Sequence, residues 1–424
     1  MTSFYLLLLI LSGIVLQLLI FVGLGFWRNW RNYQTLPTSE LTLSVPADQS
    51  NLSSEADHIA NAWSGFRTFK VSRKVFEDTT QSICSFYLAP EDGQPLPSFK
   101  PGQFLTFQLD IPSKDGNTEQ IVRCYSLSDA PYPDCYRVSI KRVLQAVGDN
   151  ALPGRSSNYF HDHITVGDRL EVRAPSGNFH IDKSDSPVVL IGGGIGITPM
   201  LSILNWCLAN QPSREIWLFY GVRNSQELVM QSHLETLANT HSNFRLWICF
   251  SNPLPDDIAK QNYPHHGRVD INLLRTMLPL KPYHFYICGP TPMMESLVPA
   301  LDHWGVPDEN IHFEAFGPAS IKLNRSSTTI AAVQTAEADT DIVVNFASSN
   351  KQLQWKASAN SLLEFAEDSG IMVSSGCRAG ICGTCQTTIR SGEVTYHQTP
   401  EFQPESGTCL LCICSPKTNL TLDL

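Results

Sequence analysis

The stretch Cys377-Arg-Ala-Gly-Ile-Cys382-Gly-Thr-Cys385 sets three cysteines apart by four and then by two residues. Glycines stand beside and between them, at Gly376, Gly380 and Gly383. A residue without a Cβ adopts the backbone conformations that a loop needs when it curls around a bound group. The pattern therefore predicts a loop whose three thiolates bind one inorganic centre.

The C-x4-C-x2-C spacing is that of plant-type [2Fe–2S] centres. A cluster of this kind moves one electron at a time, so the chain needs an electron donor and an electron acceptor. Three cysteines leave one ligand to be found. The later run Cys409-Leu-Leu-Cys-Ile-Cys414 offers three candidates for it, namely Cys409, Cys412 and Cys414.

A structural zinc site is the alternative, built from Cys382-x-x-Cys385 and Cys409-x-x-Cys412. The interval between these two pairs is longer than the usual range in zinc ribbons. Zinc would also leave Cys377 without a role, although this cysteine lies in the glycine-rich part of the loop. We therefore expect an iron–sulfur cluster.

Composition bounds the rest of the chain. Its 424 residues predict two to four domains, at ~100–200 residues per domain. A net charge of −10 argues against a nucleic-acid partner, because no basic face is available to release counterions. The cysteines outside the two runs above are scattered in apolar surroundings, which is typical of buried free thiols in a reducing compartment. They are Cys84, Cys124, Cys135, Cys207, Cys249 and Cys288.

Residues 4–27 carry no charge and consist mostly of Leu, Ile, Val and Gly. A helix of this length crosses a bilayer core of ~30 Å, so we expect a single transmembrane helix here. A cleaved signal peptide is the alternative, but no Lys or Arg precedes the apolar run. Arg28 and Arg31 follow the helix, which favours soluble domains on the cytoplasmic side of the membrane. Residues 28–61 are polar and indicate a linker.

Short alternating segments separated by turns occupy residues 62–184, which predicts an antiparallel β-barrel. Strand and helix patterns then alternate over 185–318, which is typical of a parallel, doubly wound α/β domain. A polar stretch at 319–338 indicates a second linker, and 339–424 form the cysteine-bearing domain. The predicted barrel strands are 69–75, 82–88, 103–109, 120–127, 136–143 and 169–173. The predicted α/β strands are 188–191, 216–220, 245–250 and 283–288, and the predicted helices are 199–209, 225–239 and 292–304.

The α/β domain opens with a glycine-rich turn, Gly192-Gly-Gly-Ile-Gly-Ile-Thr-Pro-Met200. Such a turn, leaving a strand and entering a helix, lets a pyrophosphate approach the backbone and meet the helix N-terminus. Thr198 is suited to cap that helix and Pro199 to its first turn. A second glycine element, Cys288-Gly-Pro-Thr-Pro-Met-Met294, ends a later strand of the same domain.

The order of barrel, α/β domain and cysteine loop resembles the ferredoxin–NADP reductase superfamily, over residues 62–424. The likeness is to the subgroup with a C-terminal plant-type ferredoxin domain, which includes reductases of oxygenase systems and of the hybrid-cluster protein. The resemblance implies a flavin-binding barrel, a nicotinamide-binding α/β domain and an α+β ferredoxin domain of the β-grasp type. Together with the membrane helix, the chain is predicted to be multidomain.

The resemblance assigns the flavin site to three segments of the barrel. In Arg123-Cys-Tyr-Ser-Leu-Ser128, it implies that Arg123 pairs with a flavin phosphate, Tyr125 packs beside the isoalloxazine and Ser126 lies near its reactive N5. The strand that holds Lys141 would line the flavin. The Gly154 turn would place Ser156, Ser157 and Asn158 around a pyrophosphate, which implies FAD more than FMN.

The resemblance also assigns a nicotinamide site with NADH or NADPH as donor. The glycines of the first turn, with Thr198, would cradle its pyrophosphate, and Cys288, with Gly289 and Pro290, would lie beside the nicotinamide. Phe316, or alternatively Glu314, would stand against the flavin. The predicted catalytic residues are Ser126, Cys288 and Phe316. The predicted turn glycines are Gly192, Gly193, Gly194 and Gly196.

Two further choices follow from the family pattern. The last ligand of a ferredoxin domain precedes a proline by four residues, which selects Cys412, ahead of Pro416. NADPH users of the family often carry a Ser-Arg pair after the third α/β strand, where this chain has Ser251-Asn252 with acids at Asp256 and Asp257. A missing cation disfavours a 2′-phosphate, although Arg223 is an alternative partner. NADH is therefore the expected donor.

The expected function is electron transfer from NAD(P)H through FAD and a [2Fe–2S] cluster to a protein acceptor such as an oxygenase, a desaturase or a hybrid-cluster protein. The cofactors carry the redox chemistry, and the protein positions them. One alternative keeps the cofactors but reduces a small acceptor, such as a quinone or a ferric chelate. A second alternative is a non-enzymatic redox relay or sensor.

Overall fold

The computed structural model describes residues 63, 65–112, 116–144, 154–260, 263–316, 342–356, 359, 361–371, 373, 375–378, 380, 382–397, 399–400 and 402–424. The predicted transmembrane helix at 4–27 and the predicted linkers at 28–61 and 319–338 lie outside these residues. Within the described residues, no helix has the length and apolar character needed to cross a membrane.

The first sheet is antiparallel throughout, with strand order β4-β3-β6-β1-β2-β5. A bridge between Leu127 and Val138 brings the two edge strands together, as a barrel requires. The inner face is packed with large apolar side chains, among them Phe86, Phe107 and Phe160. The elements are β1 Arg67–Phe76, β2 Ile83–Pro90, β3 Phe104–Pro112, β4 Thr118–Ser126, β5 Tyr136–Lys141, helix α1 Arg155–Asp162 and β6 Arg169–Ser176.

The second sheet is parallel, with order β10-β9-β8-β7-β11-β12. Apolar clusters fill both of its faces, so the sheet is sandwiched between helices. The strand order reverses between β7 and β11, and such a switch point is where open α/β sheets bind ligands. The elements are β7 Val188–Gly193, α2 Ile197–Asn210, β8 Ile216–Val222, α3 Gln231–Thr240, β9 Phe244–Phe250, α4 Pro255–Lys260, β10 His265–His266, α5 Ile271–Met277, β11 His284–Gly289, α6 Thr291–His303 and β12 Ile311–Ala315.

The predicted helix over 225–239 is wrong in its first half. The segment starts with a single 3-10 turn at Ser225–Glu227, and the α-helix begins only at Gln231. Met230 has φ 53°, in the left-handed region that a bulky side chain seldom adopts. Leu228 and Val229 are buried in the core. Their burial takes the chain out of helical geometry before α3 can start.

The C-terminal part forms a mixed sheet of order β14-β13-β19-β15-β17 and a separate pair, β16 with β18. Its central strands β13 and β19 are parallel, and the apolar face of α7 packs into the same core. This is an α+β arrangement. The elements are β13 Val343–Phe346, β14 Lys351–Gln354, α7 Leu362–Asp368, β15 Gln386–Ser391, β16 Val394–Tyr396, β17 Thr408–Leu410, β18 Cys414–Pro416 and β19 Leu420–Leu422.

A buried arginine fastens the segment between the first two sheets. The side chain of Arg214 has no exposed surface. Its guanidinium donates to the backbone oxygens of Ser186 and Asp182, at 2.8 and 3.1 Å, and to the carboxylate of Asp182 at 3.2 Å. It also donates to Gln211 Oε1 at 3.0 Å. These bonds satisfy a charge that would otherwise be costly to bury.

We therefore expect Arg214→Met to lower the free energy of unfolding by about 3–5 kcal/mol, because it removes the charged partner of the Asp182 carboxylate and the hydrogen bonds that Arg214 donates to two carbonyls. Arg169→Met is the control. Arg169 pairs with Glu91 but is 71% exposed, and such surface pairs contribute at most about 1 kcal/mol. Urea unfolding measures both variants, and equal losses would contradict the role of Arg214.

Candidate redox site

Strand β4 carries the predicted flavin motif. Tyr125 packs edge-on against Phe107 and Phe160, and its hydroxyl lies 2.9 Å from Ser156 Oγ. Burial raises the pKa of Tyr125 to about 12, so the phenol stays neutral. Two of the predicted flavin residues are thus in direct contact. Arg123 is exposed, and its Nη1 donates to the backbone oxygen of Ser375 at 3.0 Å.

The predicted phosphate turn is the beginning of helix α1. Ser156 and Ser157 are buried in its first turn, and Ser157 Oγ donates to Gly154 O at 3.2 Å. Asn158 donates from Nδ2 to Val143 O at 3.0 Å, while its Oδ1 is buried with no hydrogen-bond partner among the described residues. A helix N-terminus presents free N–H groups and a partial positive charge, so this turn suits a phosphate.

Lys141 lies at the end of β5 and faces the nucleotide domain. Its Nζ is 3.8 Å from Glu227 Oε1, and Glu227 is also hydrogen-bonded by Arg223. Burial works to raise the pKa of Glu227, but the hydrogen bond from Arg223 and the charge of Lys141 outweigh it and hold that pKa below its usual value. Lys141 therefore joins the two domains through this ion pair.

The glycine-rich turn packs tightly against the end of β11. A Cβ on Gly196 would lie 2.1 Å from Cys288 O, and one on Gly289 would lie 2.2 Å from Met293 Cε. Gly194 has φ +53°, and a Cβ there would meet none of the described atoms within 4 Å. The turn thus needs glycine at Gly196 for close packing against the backbone of β11 and is open at Gly194, which is the shape that a pyrophosphate cradle needs.

Thr198 does not cap helix α2 as predicted. The helix begins two residues earlier than predicted, at Ile197, with Gly196 as its N-cap. Thr198 is therefore inside the first turn, and its hydroxyl donates backwards to Ile195 O at 3.0 Å. The 3-10 turn Gly194–Gly196 runs directly into the helix, which shifts the cap position towards the glycines.

Three polar groups meet between the barrel and the α/β sheet, with Ser126 and Cys288 buried and Glu314 half-buried. Ser126 Oγ donates to Glu314 Oε2 at 3.2 Å, and Glu314 stands opposite Cys288 in the register of β12 with β11. Burial raises the pKa of Glu314 to about 7. Burial, and then the nearby Glu314, also raise the pKa of the Cys288 thiol well above its usual range. The thiol stays protonated, and the carboxyl exchanges its proton near neutral pH.

This geometry distinguishes Phe316 from Glu314, the two candidates for the residue that stands against the flavin. Glu314 contacts Ser126, whereas Phe316 follows the end of β12 and is 39% exposed. The aromatic ring is available to stack on a bound group. The carboxyl is the one that belongs to the buried polar set.

The cysteine loop brings its sulfurs together in pairs. The backbone N–H of Cys377 donates to Cys382 Sγ, and that of Cys382 donates to Cys377 Sγ, both at 3.3 Å. Cys385 and Cys412 contact each other through their thiols. Gly380 and Gly383 have φ of +74° and +71°, so these two turns favour glycine.

Two pairs of thiols fit a two-iron cluster, in which each iron takes two cysteine sulfurs. Among the described residues, no three Cys, His, Asp or Glu side chains converge on one point as a single metal ion would require. Cys409 contacts Cys414 instead of joining the loop. The two contacting pairs of the cysteine loop are Cys377 with Cys382 and Cys385 with Cys412, which are the residues predicted as ligands. Donor bonds to Cys382 from Cys124 and Cys377 lower its pKa, which favours the thiolate.

The cluster loop lies against the barrel. Arg173 Nη1 donates to the backbone oxygen of Cys382 at 2.8 Å, and the thiol of Cys124 is in contact with the sulfur of Cys382. Cys124 stands between Arg123 and Tyr125 in the flavin motif. The predicted flavin site and the predicted cluster site are thus joined by direct contacts.

Two family profiles match the chain. Residues 190–298 match the "Oxidoreductase NAD-binding domain" and residues 344–417 match the "2Fe-2S iron-sulfur cluster binding domain". A flavohemoprotein of Bacillus thuringiensis subsp. konkukian is 40% identical over 273 residues, which are 64% of this chain. The match spans 66% of that relative, slightly less than two thirds of its length.

Two solved structures are similar to the chain. The flavohem-like FAD/NAD binding domain of nitric oxide dioxygenase from Vibrio cholerae O1 biovar El Tor is 32% identical, with a TM-score of 0.52, and is covered completely by 60% of this chain. A phthalate dioxygenase reductase, described as a modular structure for electron transfer from pyridine nucleotides to [2Fe–2S], is 27% identical with a TM-score of 0.50. The match covers 85% of this chain and 98% of the reductase chain.

The fold and these matches define an NAD(P)H-dependent flavin iron–sulfur oxidoreductase, with FAD, NADH and a [2Fe–2S] cluster as its cofactors. The chain belongs to the ferredoxin reductase superfamily and carries a C-terminal 2Fe–2S domain. The predicted order of an antiparallel flavin-binding domain, a parallel nucleotide-binding domain and a ferredoxin domain is confirmed.

Sequence reasoning missed Arg173, Thr106 and the cluster-facing role of Cys124. Each of them lies in a barrel strand, and no motif marks them. The one available signal was the position of Cys124 inside the flavin motif, where a thiol next to Tyr125 is exposed to whatever packs on that face. Which loop packs there is a property of the folded chain.

The paired thiols predict which cysteines hold the cluster. Changing Cys377, Cys382, Cys385 or Cys412 to Ala should remove it, while Cys409→Ala and Cys414→Ala should retain about two irons and two inorganic sulfides per chain. Iron and sulfide analysis after anaerobic purification is the measurement. Loss of iron in Cys409→Ala but not in Cys412→Ala would show that the fourth ligand is misassigned, and stoichiometric zinc without iron would exclude the cluster.

The buried Glu314 predicts a pH dependence of stability. Its pKa is about 7 in the fold against the usual 4.5, so the folded chain binds this proton more tightly than the unfolded chain. The contribution is fully present below about pH 4.5 and is lost as pH rises to about 7, a loss of about 3 kcal/mol. Glu314→Gln should abolish this fall, and exposed Glu309→Gln should not. Urea unfolding of the flavin-free chain at several pH values tests this, and the same fall in Glu314→Gln would refute it.

Proposed function

We propose that this chain passes electrons from NADH, through its flavin domain and its cluster domain, to a protein acceptor such as an oxygenase, a desaturase or a hybrid-cluster protein. When bound, the flavin accepts two electrons from the nicotinamide and the cluster passes them on singly, so one NADH balances two one-electron steps. The observation that carries the proposal is the direct contact between the flavin strand β4 and the cluster loop.

The residues at the buried junction have defined tasks in this proposal. Ser126 orients the carboxyl of Glu314 by donating to Oε2. Glu314 holds or releases a proton on that carboxyl near pH 7. Cys288, which is fully buried, excludes water and stays a neutral thiol. A low-dielectric site of this kind strengthens every polar contact made to a bound group.

A preference for NADH is supported by the cationic side chains near the nucleotide turn and the partners that they already have. Arg223, the alternative partner for a 2′-phosphate, is already engaged by Glu227. Asn252 stands where a second cation would be expected, and Asp256 is exposed nearby. Asp257 is buried and accepts from the backbone N–H groups of Ser225 and Leu254. A 2′-phosphate would therefore meet a carboxylate without a free cation beside it.

The acceptor is proposed to be a protein by analogy with the phthalate dioxygenase reductase, which is named as the reductase of a dioxygenase. We also propose that residues 4–27 anchor the chain in a membrane, with the redox domains on the cytoplasmic side. The uncharged run and the two following arginines support this placement.

The acceptor test uses two cysteines of one short run. Cys412→Ala, without its cluster, should still oxidise NADH with ferricyanide, which takes electrons from a reduced flavin, but should lose most reduction of cytochrome c. Cys414→Ala, two residues away, should keep both activities. The two acceptors are assayed side by side on full-length protein.

The alternatives give other outcomes. Full cytochrome c reduction by Cys412→Ala would show that electrons bypass the cluster. Faster turnover with a quinone or a ferric chelate than with any protein acceptor would favour a small-acceptor reductase. Purified chain that holds a cluster but no flavin would favour a relay or sensor.

The membrane proposal is tested by removing residues 1–33. The truncated chain should move from the membrane fraction to the soluble fraction and keep both electron-acceptor activities, because the removed segment holds none of the predicted cofactor residues. Retention in the membrane fraction after truncation, measured by ultracentrifugation, would contradict the anchor.

A further inference from the structure

The outer face of the barrel carries a polar row, buried at Thr106 and half-buried at Cys124 and Arg173, that the flavin site does not use. Thr106 on β3 lies directly opposite Cys124 on β4 and Arg173 on β6. Residues opposite each other in antiparallel strands project from the same face. These three side chains therefore form one row across three strands.

Another part of the chain must pack on this row to shield it from solvent. Leu105 and Phe107, the neighbours of Thr106 along β3, point into the barrel core and have no exposed surface. Alternation along a strand sends Thr106 to the opposite, outer face, where solvent is expected. Thr106 is nevertheless only 1% exposed. What covers the row is the cluster loop, because its contacts converge on Cys382.

Cys382 is held at two of its atoms. Its backbone oxygen accepts from Arg173 Nη1 at 2.8 Å, and its sulfur is in contact with the Cys124 thiol. Thr106 Oγ1 lies 3.3 Å from Cys124 Sγ and fixes the orientation of that thiol. Arg173 is itself held by rings on both sides of the contact, Phe66 at 4.6 Å and Phe402 at 5.7 Å from the guanidinium carbon.

We propose that Cys124, Thr106 and Arg173 are positioning residues for the cluster, and that the Cys124 thiol, by donating a hydrogen bond to the sulfur of Cys382, makes the cluster easier to reduce. This inference rests on the proposed transfer of electrons from the flavin domain to the cluster. A donor to a ligand sulfur stabilises the extra negative charge of the reduced cluster, and hydrogen bonds to sulfur are one determinant of cluster potentials. Arg173 sets where the loop lies, and Thr106 sets where the thiol points.

The thiol's effect is tested by redox titration and EPR of full-length holoprotein reduced with dithionite. Cys124→Ala should keep its iron and flavin, shift the EPR lines and move the equilibrium towards the oxidised cluster roughly threefold to tenfold, the effect of one hydrogen bond. Tenfold corresponds to 59 mV for one electron. Thr106→Val should produce a smaller shift in the same direction. Cys135→Ala, a barrel thiol outside the row, is the control.

The role of Arg173 is tested by the rate at which NADH reduces the cluster, followed by absorbance after rapid mixing. Arg173→Met should slow this step about tenfold or more, because small misplacements of reacting groups are costly. Arg173→Lys, which keeps a donor, should be affected less. Arg169→Met, on the same strand and exposed, should match the wild type.

The outcomes separate the two proposals. If NADH does not reduce the cluster of the wild-type chain, the proposed function fails, while the dithionite titration of Cys124→Ala still decides the effect of the thiol. If NADH reduces the wild-type cluster but the Cys124 and Arg173 variants behave as their controls do, the inference is overturned and the function stands.

Discussion

The contacts of Arg173 and Cys124 with Cys382 are the interaction on which the arrangement of the redox sites depends. A residue of the cluster loop accepts a hydrogen bond from an arginine at its carbonyl oxygen and contacts a thiol at its sulfur, and both partners come from the flavin domain. Electron transfer between separate domains is only as efficient as their relative position is constant. Hydrogen bonds to the backbone constrain the loop whatever its side chains are, which makes Arg173 an anchor for geometry, with Cys124 acting on the sulfur itself.

The second constraint is close packing where the parallel sheet changes direction. Gly196 and Gly289 lie so near β11 and Met293 that any Cβ would collide. The same tight junction places Cys288 opposite Glu314, and the barrel contributes Ser126 to that pair. A carboxyl removed from water in this way titrates near neutrality. Packing between domains thus creates a proton-exchanging group that neither domain would contain alone.

Much of the fold was readable because its signals are local. Period-two alternation marked six barrel strands, and glycine turns marked both ends of the nucleotide site. The errors of the prediction also had local causes. Met230 has a left-handed backbone conformation inside the segment that was predicted as the first half of a helix. Thr198 was misplaced as a cap because the choice of cap depends on a 3-10 turn that glycines permit. Burial of Leu228 and Val229 outweighed helix propensity in that segment.

The sequence by itself determined the class of chemistry, since the spacing of Cys377, Cys382 and Cys385 is a covalent property of the chain that no packing alters. Tertiary structure alone decided which distant residues are in contact. Cys124 and Arg173 both contact Cys382, Ser126 contacts Glu314, and Lys141 pairs with Glu227. The physical reason is range. Ligand spacing and turn chemistry act over a few residues, whereas these contacts join residues separated by tens to hundreds of positions and exist only once the sheets have packed.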